Sequence, residues 1–257
     1  MSSKIEWTDE TWNPVTGCAK VSQGCKHCYA ERTWQRLSAN PKTVYFGREF
    51  TDVKCHPERL DQPLRWTKPR RIFVNSMSDL FHEDVPFKFI AAVFGVMSRA
   101  RQHTFQVLTK RPERMLEFCC WLSLQTQHKA AWIAQVNHAE FICSEPQGSR
   151  GSEKSAVEAL AISAHHDRLA IANQGRAHGS YYRDWPLPNV WLGVSVEDQA
   201  TADERIPLLL QTPSAVRWIS AEPLLGPVDL EFNEIDIALE KDGNGNAQIL
   251  GGIDWVV

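Results

Sequence analysis

No run of apolar residues in the 257-residue chain approaches the ~20 that a membrane-spanning helix requires. The opening Met1-Ser2-Ser3-Lys4-Ile5-Glu6 has no apolar centre of a secretory signal. A cytoplasmic protein without membrane contact is therefore expected. Internal repeats and low-complexity tracts are missing too, and no glycine-rich dinucleotide turn follows the first apolar segment. Charge of one sign is not in excess: 28 Lys and Arg stand against 31 Asp and Glu, a net of −3. Bulk electrostatics would not gather nucleic acid on such a surface, although a local basic strip would. Seven cysteines make an odd number in a chain with no export signal. They read as metal ligands, reactive thiols or core residues rather than as a disulfide framework.

What is present is the balance of an ordinary globular protein, 43% hydrophobic and 23% charged, with ten tryptophans, several of them beside the motifs below. Five short apolar segments share one layout, a β-branched or aromatic run that ends in polar residues. They are 12–18, 71–76 continuing to Asp79, 104–111, 190–197 and 216–222, and a sixth begins at Ile253 and stops at Val257. Near-continuous apolar strands belong to parallel sheets. The spacing predicts helices over 85–101, opened by Pro86, over 112 to about 134, and over 199–211, ended before Pro213. Strands alternating with helices imply right-handed crossover units. The expected fold is α/β, a single partial (β/α) barrel domain with about six parallel strands and an insertion at about 135–188. That insertion carries one helical stretch, 155–172, and Asp242-Gly243-Asn244-Gly245-Asn246 signals a hairpin turn.

Cys18, Cys25 and Cys28, spaced C-x6-C-x2-C after the first segment, are the most informative residues. Three soft sulfur donors on one loop suit an iron–sulfur cluster or zinc. Gly17 and Gly24 flank the loop, where a bulky inorganic core would approach the backbone. A structural zinc site would need a fourth ligand, from His27, Cys55 or His56. A set of unrelated buried thiols is the third reading. The absence of a second C-x2-C pair favours a cluster with one open iron. Of the other cysteines, Cys119 and Cys120 point different ways on a helix, so one belongs to the core, and Cys143 falls in the insertion.

The run Trp12-Asn13-Pro14-Val15-Thr16-Gly17-Cys18, followed by Gly24-Cys25-Lys26-His27-Cys28-Tyr29-Ala30-Glu31, resembles the start of the phage Gp37/Gp68 family. That group has a radical S-adenosylmethionine-type three-cysteine motif. The resemblance extends through Asn75-Ser76-Met77-Ser78-Asp79, Leu108-Thr109-Lys110-Arg111-Pro112, Trp191 to Glu197, Ser220-Ala221-Glu222-Pro223 and Ile253-Asp254-Trp255-Val256. It implies a 4Fe-4S cluster on Cys18, Cys25 and Cys28, whose fourth iron chelates S-adenosyl-L-methionine, and an electron donor protein. An electron from the cluster would then release a 5′-deoxyadenosyl radical that takes hydrogen from the substrate. Two departures stand out. The superfamily spaces its cysteines C-x3-C-x2-C, and the family continues beyond the sixth strand, so a truncated, inactive relative is one expectation, beside a non-catalytic zinc or iron–sulfur module.

In a (β/α) barrel the functional face lies at the C-terminal ends of the strands. Asn75, Ser76 and Asp79 are expected to contact the cofactor there, Ser195 and Glu197 to hydrogen-bond its ribose, and Lys110 and Glu222 to serve catalysis. Blander roles compete: Asp79 and Asp198 suit helix N-caps, Glu222 suits the ordering of its own loop, and Lys110 and Arg111 suit the surface. Trp7, Trp12, Tyr29 and Trp34 suit either shielding of the cluster or plain core packing. Arg65, Lys68, Arg70, Arg71, Arg99, Arg101, Lys110, Arg111 and Arg114 make the N-terminal half locally basic. That favours either a nucleic-acid or nucleotide substrate or a solvated helical face.

Overall fold

The computed structural model describes residues 5–127, 186–230, 239–241, 247–249 and 252–257. Six strands build one parallel sheet: β1 (Glu10–Trp12), β4 (Arg71–Val74), β5 (Thr104–Thr109), β6 (Val190–Ser195), β7 (Val216–Ser220) and β10 (Trp255–Val256). Two short antiparallel pairs stand outside it, β2 (Val15–Thr16) with β3 (Lys54–Cys55), and β8 (Leu239–Lys241) with β9 (Ala247–Ile249). The second pair flanks the predicted hairpin turn, whose own residues, like the insertion and its helix, lie outside the described residues.

Along the sheet the six strands follow one another in chain order. The winding never reverses, so it has none of the switch points of a doubly wound sheet, and the described helices between β4 and β7 pack on one core. The sheet is an open partial (β/α) fold; no closed barrel forms among the described residues. The expected helices appear as α2 (Phe87–Arg99), α3 (Pro112–Gln127) and α4 (Gln199–Gln211), with α1 (Tyr29–Ser38) after the cysteines.

Strand alternation sorts the core. Ile72, Val74, Phe105, Val107, Leu192, Val194 and Ile219 share one face and join the main cluster with Phe89, Ile90, Val93 and Met97 of α2, Phe118 of α3 and Leu209 of α4. Among the described residues the opposite face carries aromatic rings: Trp7 meets Phe73 at 4.8 Å and Trp218 at 5.2 Å between centroids, and Trp255 meets Trp191 at 5.6 Å. Gly193 makes that lining possible, because a Cβ there would sit 2.6 Å from the Trp218 ring.

The first segment departs from the continuous strand expected over 12–18. Pro14 has no N–H for the ladder, so β1 ends at Trp12 and the chain leaves the sheet to form β2 against β3. This exit carries the cysteines beyond the C-terminal ends of the strands.

Candidate metal centre

The cysteine loop is tied down at both ends by backbone. Gly17 donates to the Met77 carbonyl at 3.1 Å and Cys18 to that of Phe50 at 2.9 Å. Cys25 lies in a 3-10 turn, Gln23–His27, and Cys28 immediately precedes α1. The Cys25 amide donates to Ser22 and that of Cys28 to Cys25. Cys18, Cys25 and Cys28 are all free thiols and half-buried.

Two buried charged knots from the strand ends hold this loop. The first centres on Asp79, after β4. Its carboxylate accepts from the Thr109 hydroxyl at 2.8 and 2.9 Å, the Lys110 amide at 3.0 Å, the Phe81 amide at 2.9 Å and Arg111 Nη1 at 3.2 Å. Arg111 then reaches the loop, donating to Cys18 Sγ at 3.7 Å and to the Ala19 carbonyl at 3.1 Å. Burial, reinforced by Asp79 and opposed by Arg111, pushes the Cys18 thiol up to about 12. A thiol so placed keeps its proton at neutral pH, and a metal cation is the kind of partner that displaces it.

The second knot centres on Glu197, after β6, which is 1% exposed. Its Oε2 accepts from Arg205 of α4 at 3.1 Å, and its Oε1 from Lys110 Nζ and from the Ser22 hydroxyl at 3.0 Å. Ser22 also contacts Cys25 Sγ at 3.7 Å. Gly24 lies flat against the same carboxylate: a Cβ there would stand 2.5 Å from Glu197 Cγ. The close approach that needs this glycine is thus made by a side chain from across the sheet.

The remaining expected residues divide. Asn75 is buried with φ at +63°; its Oδ1 accepts from the Val15 amide at 3.2 Å, and its Nδ2 has no hydrogen-bond partner. Ser76 donates to Asn13 Oδ1 at 3.2 Å. Ser195 and Ser220 sit in register, both buried, at the ends of β6 and β7. Glu222 is exposed and joins neither knot. The structure therefore brings Cys18, Cys25, Asp79, Lys110, Arg111 and Glu197 into two connected networks, with Asn75, Ser76 and Ser195 at neighbouring strand ends and Glu222 apart.

Other candidate ligands are engaged elsewhere. His56 is buried, with Nε2 on the Thr16 hydroxyl at 2.8 Å and Nδ1 on Glu58 at 3.0 Å, and burial holds its pKa below the ordinary value. Cys119 is core and Cys120 exposed; Cys143 lies outside the described residues. Asp198 caps α4, with Thr201 completing a capping box. Trp12 packs in the core, and Trp34 in a smaller cluster with Ala30, Tyr45 and Met77, whereas Tyr29 is 61% exposed. Five of the nine basic residues read from the N-terminal half are ion-paired, Arg65 with Asp61, Arg70 with Glu10, Arg71 with Asp9, Lys110 with Glu197 and Arg111 with Asp79, and Arg114 donates to three carbonyls of 82–85.

Sequence reasoning missed Ser22 and Arg205. Ser22 had no local signal. Arg205 had one, because it shares the helical stripe of Ala202, Ile206 and Leu209, where a charge needs a buried partner.

Residues 2–257 match the model of a family described as protein of unknown function (DUF5131). The chain belongs to the DUF5131 family. No curated protein and no solved structure matches this DUF5131 chain. Among its described residues no three His, Cys, Asp or Glu side chains are gathered closely enough to hold a metal ion. The donor chemistry of the loop fits a thiophilic group: three thiols without disulfides on one loop. Drawing the three together requires movement of the loop side chains.

Proposed function

We propose that Cys18, Cys25 and Cys28 hold a 4Fe-4S cluster and that the protein is a radical S-adenosylmethionine-type enzyme acting on a nucleic acid or nucleotide. The observation that carries this reading is the seating of three free thiols on one loop at the C-terminal ends of a parallel sheet, where two buried charged networks grip that loop. When bound, the cluster supplies one-electron reduction of S-adenosyl-L-methionine.

The chain's own residues do the rest. Arg111 holds the loop backbone at the Ala19 carbonyl and Ser22 holds it through Glu197, so the Cys18 and Cys25 side chains turn toward the cluster on an anchored loop. Asn75 keeps both N–H donors of its side-chain amide unspent, suited to a carboxylate of the cofactor. Buried Ser195 and Ser220 line the neighbouring strand ends, where their hydroxyls suit hydrogen bonds to the ribose of the cofactor. Because Lys110 and Arg205 both pair with Glu197, the role of Glu197 and Lys110 in this reading is to support the loop.

The engagement of Lys110 and Glu197 in ion pairs also favours a second reading, a cluster-binding module without catalysis. Anaerobic reconstitution with iron and sulfide separates the two. The enzyme reading expects absorbance near ~400 nm that shifts on adding S-adenosyl-L-methionine, and 5′-deoxyadenosine under reductant. A cluster whose spectrum ignores the cofactor would support the module, and a protein that takes up no iron would refute both.

A further inference from the structure

The loop and helix that carry the cysteines differ in charge from the rest of the molecule. Between Cys18 and Arg48 stand six basic residues and one acidic residue, Glu31. Taking these from 28 and 31 leaves 22 basic against 30 acidic residues elsewhere. Arg48 is spent on Asp52 and Lys20 on Glu31. Lys26, Arg32, Arg36 and Lys42 are exposed and have no acidic partner among the described residues.

Their placement is ordered. Tyr29, Arg32 and Arg36 follow a three- and four-residue spacing and are all exposed, so they line one face of α1. The opposite face is anchored by Ala30 and Trp34 in the small core, and the Trp34 indole donates to the Arg48 carbonyl at 2.9 Å. The return loop closes on the end of the helix through Gly47, which donates to Ser38 at 3.0 Å. This loop presents Lys42 and Phe46, the latter 54% exposed. Two unpaired cations, Arg32 and Arg36, thus stand on a helix about 15 Å long, with Lys26 in the turn before it, Lys42 in the loop after it and an exposed aromatic ring toward each end. The strip begins at the turn that holds Cys25.

We propose that this face binds a single strand of nucleic acid beside the cysteine loop. Cations spaced along a helix suit phosphodiesters. Exposed rings suit unstacked bases, which a duplex does not offer. Delivery of that strand to the cysteine loop rests on the function proposed above; the binding itself does not.

The test measures affinity of the full chain, metal-free and reconstituted, for labelled oligothymidylate and oligouridylate of about 16 nucleotides. A duplex of equal length and anionic phosphatidylserine vesicles serve as further probes. With four phosphates neutralised, log K should fall against log salt with a slope of about −2.8. The variant K26Q/R32Q/R36Q/K42Q should lose most of that slope and about a hundredfold in affinity at ~150 mM salt. Tyr29→Ala and Phe46→Ala should each weaken binding about tenfold with the slope unchanged, while circular dichroism stays that of the parent. The two oligonucleotides distinguish DNA from RNA as the source of the strand. An unchanged slope in the fourfold variant overturns the proposal, as does equal binding of the duplex or preference for the vesicles. Iron content is read on the same samples: strand binding without iron uptake would sink the cluster reading alone, and iron uptake without strand binding would sink this one alone.

Discussion

Glu197 shows how a single buried carboxylate ties together distant parts of the chain. Ser22 lies 175 residues from it, Lys110 87 and Arg205 8. A buried charge is tolerated when its partners satisfy it, and removing one partner strands the others. Glu197→Ala should therefore cost about 3–5 kcal/mol in urea unfolding, since Arg205, 2% exposed, would keep its charge without its carboxylate. A loss within ±0.5 kcal/mol, the range of ordinary surface substitutions, would mean that Glu197 anchors nothing. Gly24→Ala should cost about 1–3 kcal/mol in the same assay, because the added Cβ meets the Glu197 side chain at 2.5 Å. It should also make the loop more susceptible to limited proteolysis; parental stability and cleavage would remove the contact from the account.

At the scale of elements, the strands and helices were largely legible because their apolar runs are short, local and punctuated by proline. Pro86 and Pro213 bracket α2 and α4 as expected. The misreading of 12–18 as one strand has a local cause, since the apolar pattern continues through Val15 while Pro14 breaks the ladder. The small sheet that results depends on His56, whose ring joins Thr16 and Glu58. Burial holds its pKa below 6.5, as it does for His82, where Arg111 adds to the effect. The unfolded chain takes up these protons at about pH 6.5 and the folded chain only at lower pH. Stability present above pH ~6.5 should therefore fall as the pH drops below that value. Thermal unfolding from pH 8 to 5.5 checks this, and His56→Gln should flatten the dependence. A melting temperature that rises on acidification would show that the histidines are charged in the fold.

For the molecule as a whole, the sheet order and the position of the cysteines were readable, but the networks that hold the cysteines were not. Arg111 lies 93 residues from Cys18 and Ser22 175 from Glu197; pairs at such separation leave no periodic trace in one sequence. Arg205, a charge on an apolar stripe, was the exception that could have been found. Likewise, five of the nine basic residues expected as a strip from Arg65 to Arg114 are ion-paired, and the unpaired set lies on and beside α1, a distinction that depends on which acidic residues fold alongside. The central claim is tested most directly by iron and sulfide content of anaerobically purified protein beside its Cys25→Ala variant. The account predicts about four irons and four sulfides per chain in the parent, lost in the variant while the fold persists by circular dichroism. Equal iron in both proteins, or zinc without sulfide in the parent, would contradict it.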